Sequence, residues 1–132
     1  MTDPTHSKYA GLIAAAIEAR KNAYAPYSNF KVGAALLTTD GKVFSGCNVE
    51  NTSYGLCICA ERTAICKAVS EGFQTFEAIA VAAHPFASPC GACRQFIVEF
   101  GKEIQVISVD AEDDSNIKAW TAEELIPENF KF

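Results

Sequence analysis

Ala78-Ile79-Ala80-Val81-Ala82-Ala83 is an unbroken apolar run. A strand with one wet face alternates apolar and polar side chains, so a short run with no polar member predicts a strand covered on both faces. Ile104 to Val109, apolar apart from Gln105 and Ser108, is read as a second such strand. Together they imply a central sheet with helices on each side.

Outward from that centre, Lys31 to Thr38 and Lys42 to Asn48 are strand-like and flank Thr39-Asp40-Gly41, a turn signal that makes them a hairpin. Tyr9, Leu12, Ile13, Ala16 and Ile17 follow the i, i+3, i+4, i+7, i+8 pattern, which predicts an amphipathic helix from Ser7 to Ala23, ended by Tyr24-Ala25-Pro26-Tyr27-Ser28. Further helices are expected from Cys59 to Ser70, closed by Gly72, and from Gly91 to Phe100, closed by Gly101. Ile117 to Trp120 is read as a final short strand, and Thr121-Ala122-Glu123-Glu124 as a capping box opening a last helical turn before Pro127. The expected class is α/β, with helices on both faces of a mixed sheet, in a single domain spanning 1–132.

The 132 residues, 49% hydrophobic and 20% charged, have the balance of a chain with a packed core. A net charge of −5 and scattered lysines and arginines argue against a nucleic-acid polymer as ligand, since such binders carry a basic footprint. Met1 to Ala10 is polar, with Asp3, Pro4 and His6, and no apolar run approaches a membrane span, so no membrane role and a cytoplasmic location are expected. His6 and His84 are read as solvated. Six cysteines in such a chain are better read as thiols for a metal or for chemistry than as a disulfide framework.

Pro89-Cys90-Gly91-Ala92-Cys93 sets two thiols where a loop enters a helix, with Gly91 small enough for the backbone to wrap closely round an ion. Alone, this pair reads equally well as a redox dithiol or as two buried cysteines acting as small hydrophobes. Cys57-Ile58-Cys59-Ala60-Glu61-Arg62 is a second cluster in the same setting. Two helix N-termini, each with unpaired N-H groups and a partial positive charge, can converge on one ion and favour thiolate over thiol. Spacing does not decide between Cys57 and Cys59.

Glu61 shares a helical stripe with Ala64, Ile65, Ala68 and Val69, and Cys93 shares one with Phe96, Ile97 and Phe100. A carboxylate and a thiol thus begin two inward-facing stripes. The plain alternative for Glu61 is a first-turn acid facing water. Inside and beside a metal it suits a general acid/base, because burial raises its pKa while the cation lowers it. Arg62, three residues after Cys59, is placed to donate hydrogen bonds to thiolate sulfur or else is a solvated arginine.

Cys59-Ala60-Glu61 with Pro89-Cys90-Gly91-Ala92-Cys93 resembles the signature of the zinc-dependent cytidine deaminases: His or Cys, then Glu, then Pro-Cys-x-x-Cys. Tyr24-Ala25-Pro26-Tyr27-Ser28-Asn29-Phe30, Gly46-Cys47-Asn48-Val49-Glu50-Asn51 and Cys59-Ala60-Glu61-Arg62-Thr63-Ala64 are similar to the members acting on free nucleosides. That resemblance implies a three-layer α/β/α sandwich on a five-stranded sheet and a homotetramer with shared active sites. It also implies one Zn²⁺ per subunit on Cys59, Cys90 and Cys93, with Cys57 a spectator and Cys47 and Cys66 structural thiols. Glu61 becomes the proton shuttle and Arg62 a partner of the sulfurs. Asn48 and Glu50 hold the ribose 3'-hydroxyl, Phe30 lines the base pocket, and Phe130 covers the base from a neighbouring subunit.

The reaction so implied is hydrolysis of cytidine or 2'-deoxycytidine to uridine or 2'-deoxyuridine with loss of ammonia, a step of pyrimidine salvage. If residues 48 to 50 are extended, Asn48 and Glu50 face one way and Val49 turns to a core. Two rivals stand beside this reading. One is a deaminase of a polymer or a modified nucleoside; the other is a structural zinc or redox module in which Cys57 completes four ligands.

Overall fold

The computed structural model describes residues 4–132, so Asp3 of the polar N-terminal stretch lies outside the described residues. Five helices, α1 (Pro4–Lys8), α2 (Ala10–Ala19), α3 (Ala60–Ser70), α4 (Gly91–Val98) and α5 (Ala122–Leu125), accompany five strands. The strands are β1 (Val32–Thr38), β2 (Val43–Cys47), β3 (Phe76–Ala83), β4 (Gln105–Asp110) and β5 (Asp113–Thr121).

The all-apolar run around Ile79 and Val81 lies in the middle strand of a sheet ordered β2-β1-β3-β4-β5. β3 and β4 run parallel and every other pair is antiparallel, which makes the sheet mixed. A parallel pair needs a crossover, and α4 supplies it. Successive β3 side chains point to opposite faces. Ile79 joins Leu36 and Val106 against Ala64, Ile65 and Ala68 of α3, Ile97 of α4 and Leu125 of α5. Ala78, Ala80 and Ala82 face the other way, with Ala35, Ile107 and Val109, against Tyr9 and the α2 residues Leu12, Ile13 and Ala16. The result is a three-layer α/β/α sandwich. Ile65, Ile79 and Ile97, each at most 1% exposed, contribute about 1.5–3 kcal/mol apiece through burial.

Two glycines set how closely the layers approach. A Cβ on Gly33 of β1 would lie 2.1 Å from the Ala16 carbonyl of α2, and one on Gly46 of β2 would lie 2.6 Å from the Ala64 nitrogen of α3. Any side chain at either place would force a helix off the sheet.

Several boundaries differ from expectation. The first helix is divided at Tyr9 (φ −114°, ψ 25°) and its last turn, Arg20–Asn22, is a 3-10 turn. α4 stops at Val98, before Phe100. β5 begins at Asp113, well before Ile117, because its backbone pairs with β4 from Asp110 to Gln105. As an edge strand it is mostly exposed, so its sequence carries no apolar signal there. The capping box at Thr121 and Glu124 is formed in both directions. No helix among the described residues is long and apolar enough to cross a membrane.

Candidate active site

Cys59 and Cys90 are the N-cap residues of α3 and α4, both with extended backbone (φ −72°, ψ 156° and φ −69°, ψ 166°), and neither side chain caps its helix. Their thiols are therefore free to turn toward each other. Cys93, in the first turn of α4, is fully buried. The three sulfurs lie within 4.8 Å of one another, with Cys59 Sγ and Cys90 Sγ 3.7 Å apart. Tetrahedral zinc with Zn–S bonds of ~2.3 Å separates its sulfurs by about 3.8 Å, so spacing and donor type both fit a zinc centre. Cys57 is not in this cluster: its sulfur accepts from the Asn51 N-H at 3.3 Å. Cys66 is an exposed thiol and Cys47 a half-buried one. A Cβ on Gly91 would meet nothing within 4 Å, so the α4 N-terminus, rather than a tight wrap at that glycine, places the two thiols.

Electrostatics suit a metal here. The Cys59 thiol is held down to about 5, first by a hydrogen bond from Cys93 and then by Arg62, whose Nη2 donates to Cys59 Sγ at 3.3 Å. Cys93 is pushed the other way by donating that hydrogen bond, by burial and by the charge of Glu61. Arg62, hydrogen-bonded to thiolate, has its own pKa raised. Metal binding must displace the remaining thiol protons.

Glu61 is only 4% exposed, and burial raises its carboxyl pKa above the usual range. Its stripe continues through Ala64, Ile65 and Ala68, all buried, but Val69 falls at the edge and is 36% exposed. On the matching α4 stripe Ile97 is buried, while Phe96 and Phe100 are half-buried.

A cavity of about 280 Å³ opens in front of this cluster. Cys59, Glu61 and Cys90 line one side, Phe30, Asn48 and Glu50 another, and Val81, Ala83 and Pro89 add apolar wall. Asn48 is partly committed to scaffolding. Its Oδ1 accepts from Val32 N at 2.9 Å and its Nδ2 donates to Phe30 O at 2.9 Å, which leaves one N-H free. Glu50 accepts from the hydroxyl and the N-H of Ser28 and from Tyr27 N, and these bonds lower its pKa. Val49 does not turn to a core; it is 42% exposed and its backbone bridges Tyr24 and Ile58.

Phe130 is not at this cavity. It is 68% exposed, packs edge-on against Phe132, and has its N-H and C=O both bonded to the Gln95 side chain. The histidines are paired rather than merely solvated: His84 Nδ1 lies 2.9 Å from Asp110, and His6 Nε2 lies 3.7 Å from Asp114. Two contributors escaped the sequence reading. Ser28 orients Glu50, and Arg94 braces the cavity wall at Ser88 and Pro89. A serine and an arginine carry no periodic signal; only the folded geometry gives them partners.

Comparison with known proteins agrees with this geometry. The profile of the cytidine and deoxycytidylate deaminase zinc-binding region matches residues 6–109. A probable cytidine deaminase of Dictyostelium discoideum is 54% identical over 118 residues, covering 87% of this chain and 78% of that one. The cytidine deaminase of Halalkalibacterium halodurans is 50% identical, covering 90% of this chain and 91% of its own. Among solved structures, the cytidine deaminase of Burkholderia pseudomallei superposes with a TM-score of 0.86 at 53% identity, covering 92% of this chain and 98% of that one. With three clustered thiols, a buried glutamate beside them and matches of this extent, the chain belongs to the cytidine and deoxycytidylate deaminase zinc-binding family.

Proposed function

We propose that this protein, as a single domain spanning 1–132, is a zinc-dependent cytidine deaminase that hydrolyses cytidine and 2'-deoxycytidine to uridine and 2'-deoxyuridine with release of ammonia. The observation that carries the reading is a buried carboxylate, Glu61, lining the same cavity as the clustered thiols Cys59 and Cys90. Cys59, Cys90 and Cys93 hold Zn²⁺, which supplies an activated water at neutral pH when bound.

The chain's own groups do the rest. Three thiolates leave a zinc site net negative, and the Arg62 guanidinium at Cys59 Sγ offsets part of that charge. Glu61 takes a proton from the water and delivers it to cytosine N3, making C4 electrophilic. Once the water oxygen has bonded to C4, Glu61 carries the proton left on that oxygen to the amine as the C4–N bond breaks, releasing ammonia. Its raised pKa from burial favours holding a proton between these steps. Asn48 offers its free N-H, and Glu50 an acceptor, to the ribose 3'-hydroxyl, and Phe30 packs on the base.

The proposed assembly is a homotetramer in which Phe130 covers the base in a neighbouring subunit. Support comes from exposed apolar groups that a partner would bury: Phe130, Phe132, Tyr54 (76% exposed) and Leu56 (63% exposed). A native mass near the 14.2 kDa of one chain would exclude that assembly. Six free thiols suit the reducing cytoplasm as location.

The test measures zinc content and ammonia release from cytidine for the wild type and Glu61→Gln. The variant retains zinc and loses turnover by roughly 10²–10⁴. Near-normal turnover in the variant removes Glu61 from the mechanism. Equal activity on a cytidine-containing oligonucleotide would instead favour a polymer substrate, against which the net charge of −5 argues.

A further inference from the structure

Arg94 follows Cys93 in the first half of α4, and its side chain runs back past the start of the helix, as helical side chains do. Three of its N-H groups reach three points on two separate segments. Nε donates to the Pro89 carbonyl at 2.8 Å, Nη2 to the Ser88 hydroxyl at 3.1 Å, and Nη1 to the Leu125 carbonyl at 2.9 Å. Ser88 and Pro89 line the cavity, next to Cys90 in sequence. Leu125 ends α5, whose start is pinned to β5 by the capping box.

The Pro89 carbonyl precedes the helix, whose own ladder begins with Arg94 N donating to Cys90 O. It therefore needs a partner from outside that ladder, and the Arg94 side chain provides it. A guanidinium presents its donors in one rigid plane, so it holds the relative placement of all three acceptors; a lysine ammonium at the end of a flexible stem cannot span them.

We propose that Arg94 is a positioning residue for the deamination reaction: it fixes the Ser88-Pro89 wall, and through Pro89 the approach of Cys90 to the metal, against the C-terminal helix α5. The inference rests on the reading that Cys90 is a zinc ligand and that the cavity takes the nucleoside. Nothing in it requires Arg94 to touch either. One arm of the fork, to Ser88, acts on the pocket wall; the arm to Pro89 acts on the metal ligand.

Three variants read these arms apart: Arg94→Ala, Arg94→Lys and Ser88→Ala, each purified with zinc. Arg94→Ala should release zinc to roughly 10- to 100-fold less chelator than the wild type requires, the usual scale of affinity lost on removing a group that orients a metal ligand. Its cytidine KM should rise about tenfold with kcat per bound zinc little changed, the pattern of a binding wall that has shifted while the reacting groups remain. Ser88→Ala should raise KM and leave zinc release unaltered. Arg94→Lys should resemble Arg94→Ala in both measurements.

An Arg94→Ala protein with a lower melting temperature but wild-type zinc release and KM would reduce Arg94 to a general brace and overturn the proposal. If Arg94→Ala does not fold, Arg94→Lys decides, and wild-type values there overturn it equally. Should the wild type fail to deaminate cytidine, the fault lies with the proposed function, and zinc release still reports on Arg94.

Discussion

Asn48 shows how much one side chain can carry beyond the role its residue type suggests. The family resemblance assigns this amide to the substrate, yet its oxygen and one N-H close the start of β1 through Val32 N and Phe30 O. Asn48→Ala is therefore expected to leave a backbone donor and acceptor unpaired and to lower stability by about 1–3 kcal/mol, measurable by urea unfolding without any nucleoside present. A variant that binds nucleoside poorly at unchanged stability would show that those two bonds are dispensable. The residues legible in advance were those whose chemistry is written in spacing. Glu61 and Cys93 lie in the first turns of helices, so periodicity tells which way they face, whereas Cys59 was preferred to Cys57 only through the family resemblance. Ser28 and Arg94 were illegible because their partners, Glu50 for one and Leu125 for the other, lie far along the chain.

At the scale of elements, the sheet was legible where burial dictates composition and obscure where it does not. β3 is covered on both faces and nearly all apolar, and β4 is buried along its middle, where Val106, Ile107 and Val109 carry the signal despite Ser108. β5 is an edge strand defined by backbone pairing, and its residues Asp113 to Asn116 gave no sign of it. Packing of α3 on β2 makes a sharper demand. Gly46→Ala would place a methyl 2.6 Å from Ala64 N and 2.9 Å from Ala60 O, so α3 must move, and Cys59 and Glu61 move with it. The expected result is a loss of about 1–3 kcal/mol together with a fall in kcat. Gly33→Ala crowds α2 on the opposite face at Ala16 O, and should cost similar stability while the folded fraction keeps its kcat. Chemical denaturation and turnover per zinc-loaded subunit measure the contrast; equal kcat in the two variants would argue that α3 position is not critical.

For the whole molecule, one buried phenol records how folding and protonation are linked. Tyr9 is buried between α1, α2 and the sheet, and burial, followed by its 2.7 Å hydrogen bond to Glu77, pushes its pKa up from 10.0 to about 12. Between those two values the folded protein keeps a proton that the unfolded chain has lost. Its contribution is therefore intact below pH 10 and is lost as pH rises from 10 towards 12. Unfolding midpoints compared near about pH 9 and about pH 11 should fall for the wild type and fall less for Tyr9→Phe. Identical slopes would show that other groups govern alkaline unfolding.

The sandwich's two glycine contacts also bear on how this chain can change over generations. Neither Gly33 nor Gly46 lines the cavity, yet selection for activity should purge nearly every substitution at both, whereas Gly11 and Gly55, with nothing within 4 Å of a would-be Cβ, should drift. A saturation library grown under selection would then mark the boundary of permitted variation not around the substrate but along the seams between layers, where room for a single methyl is what heredity cannot spare.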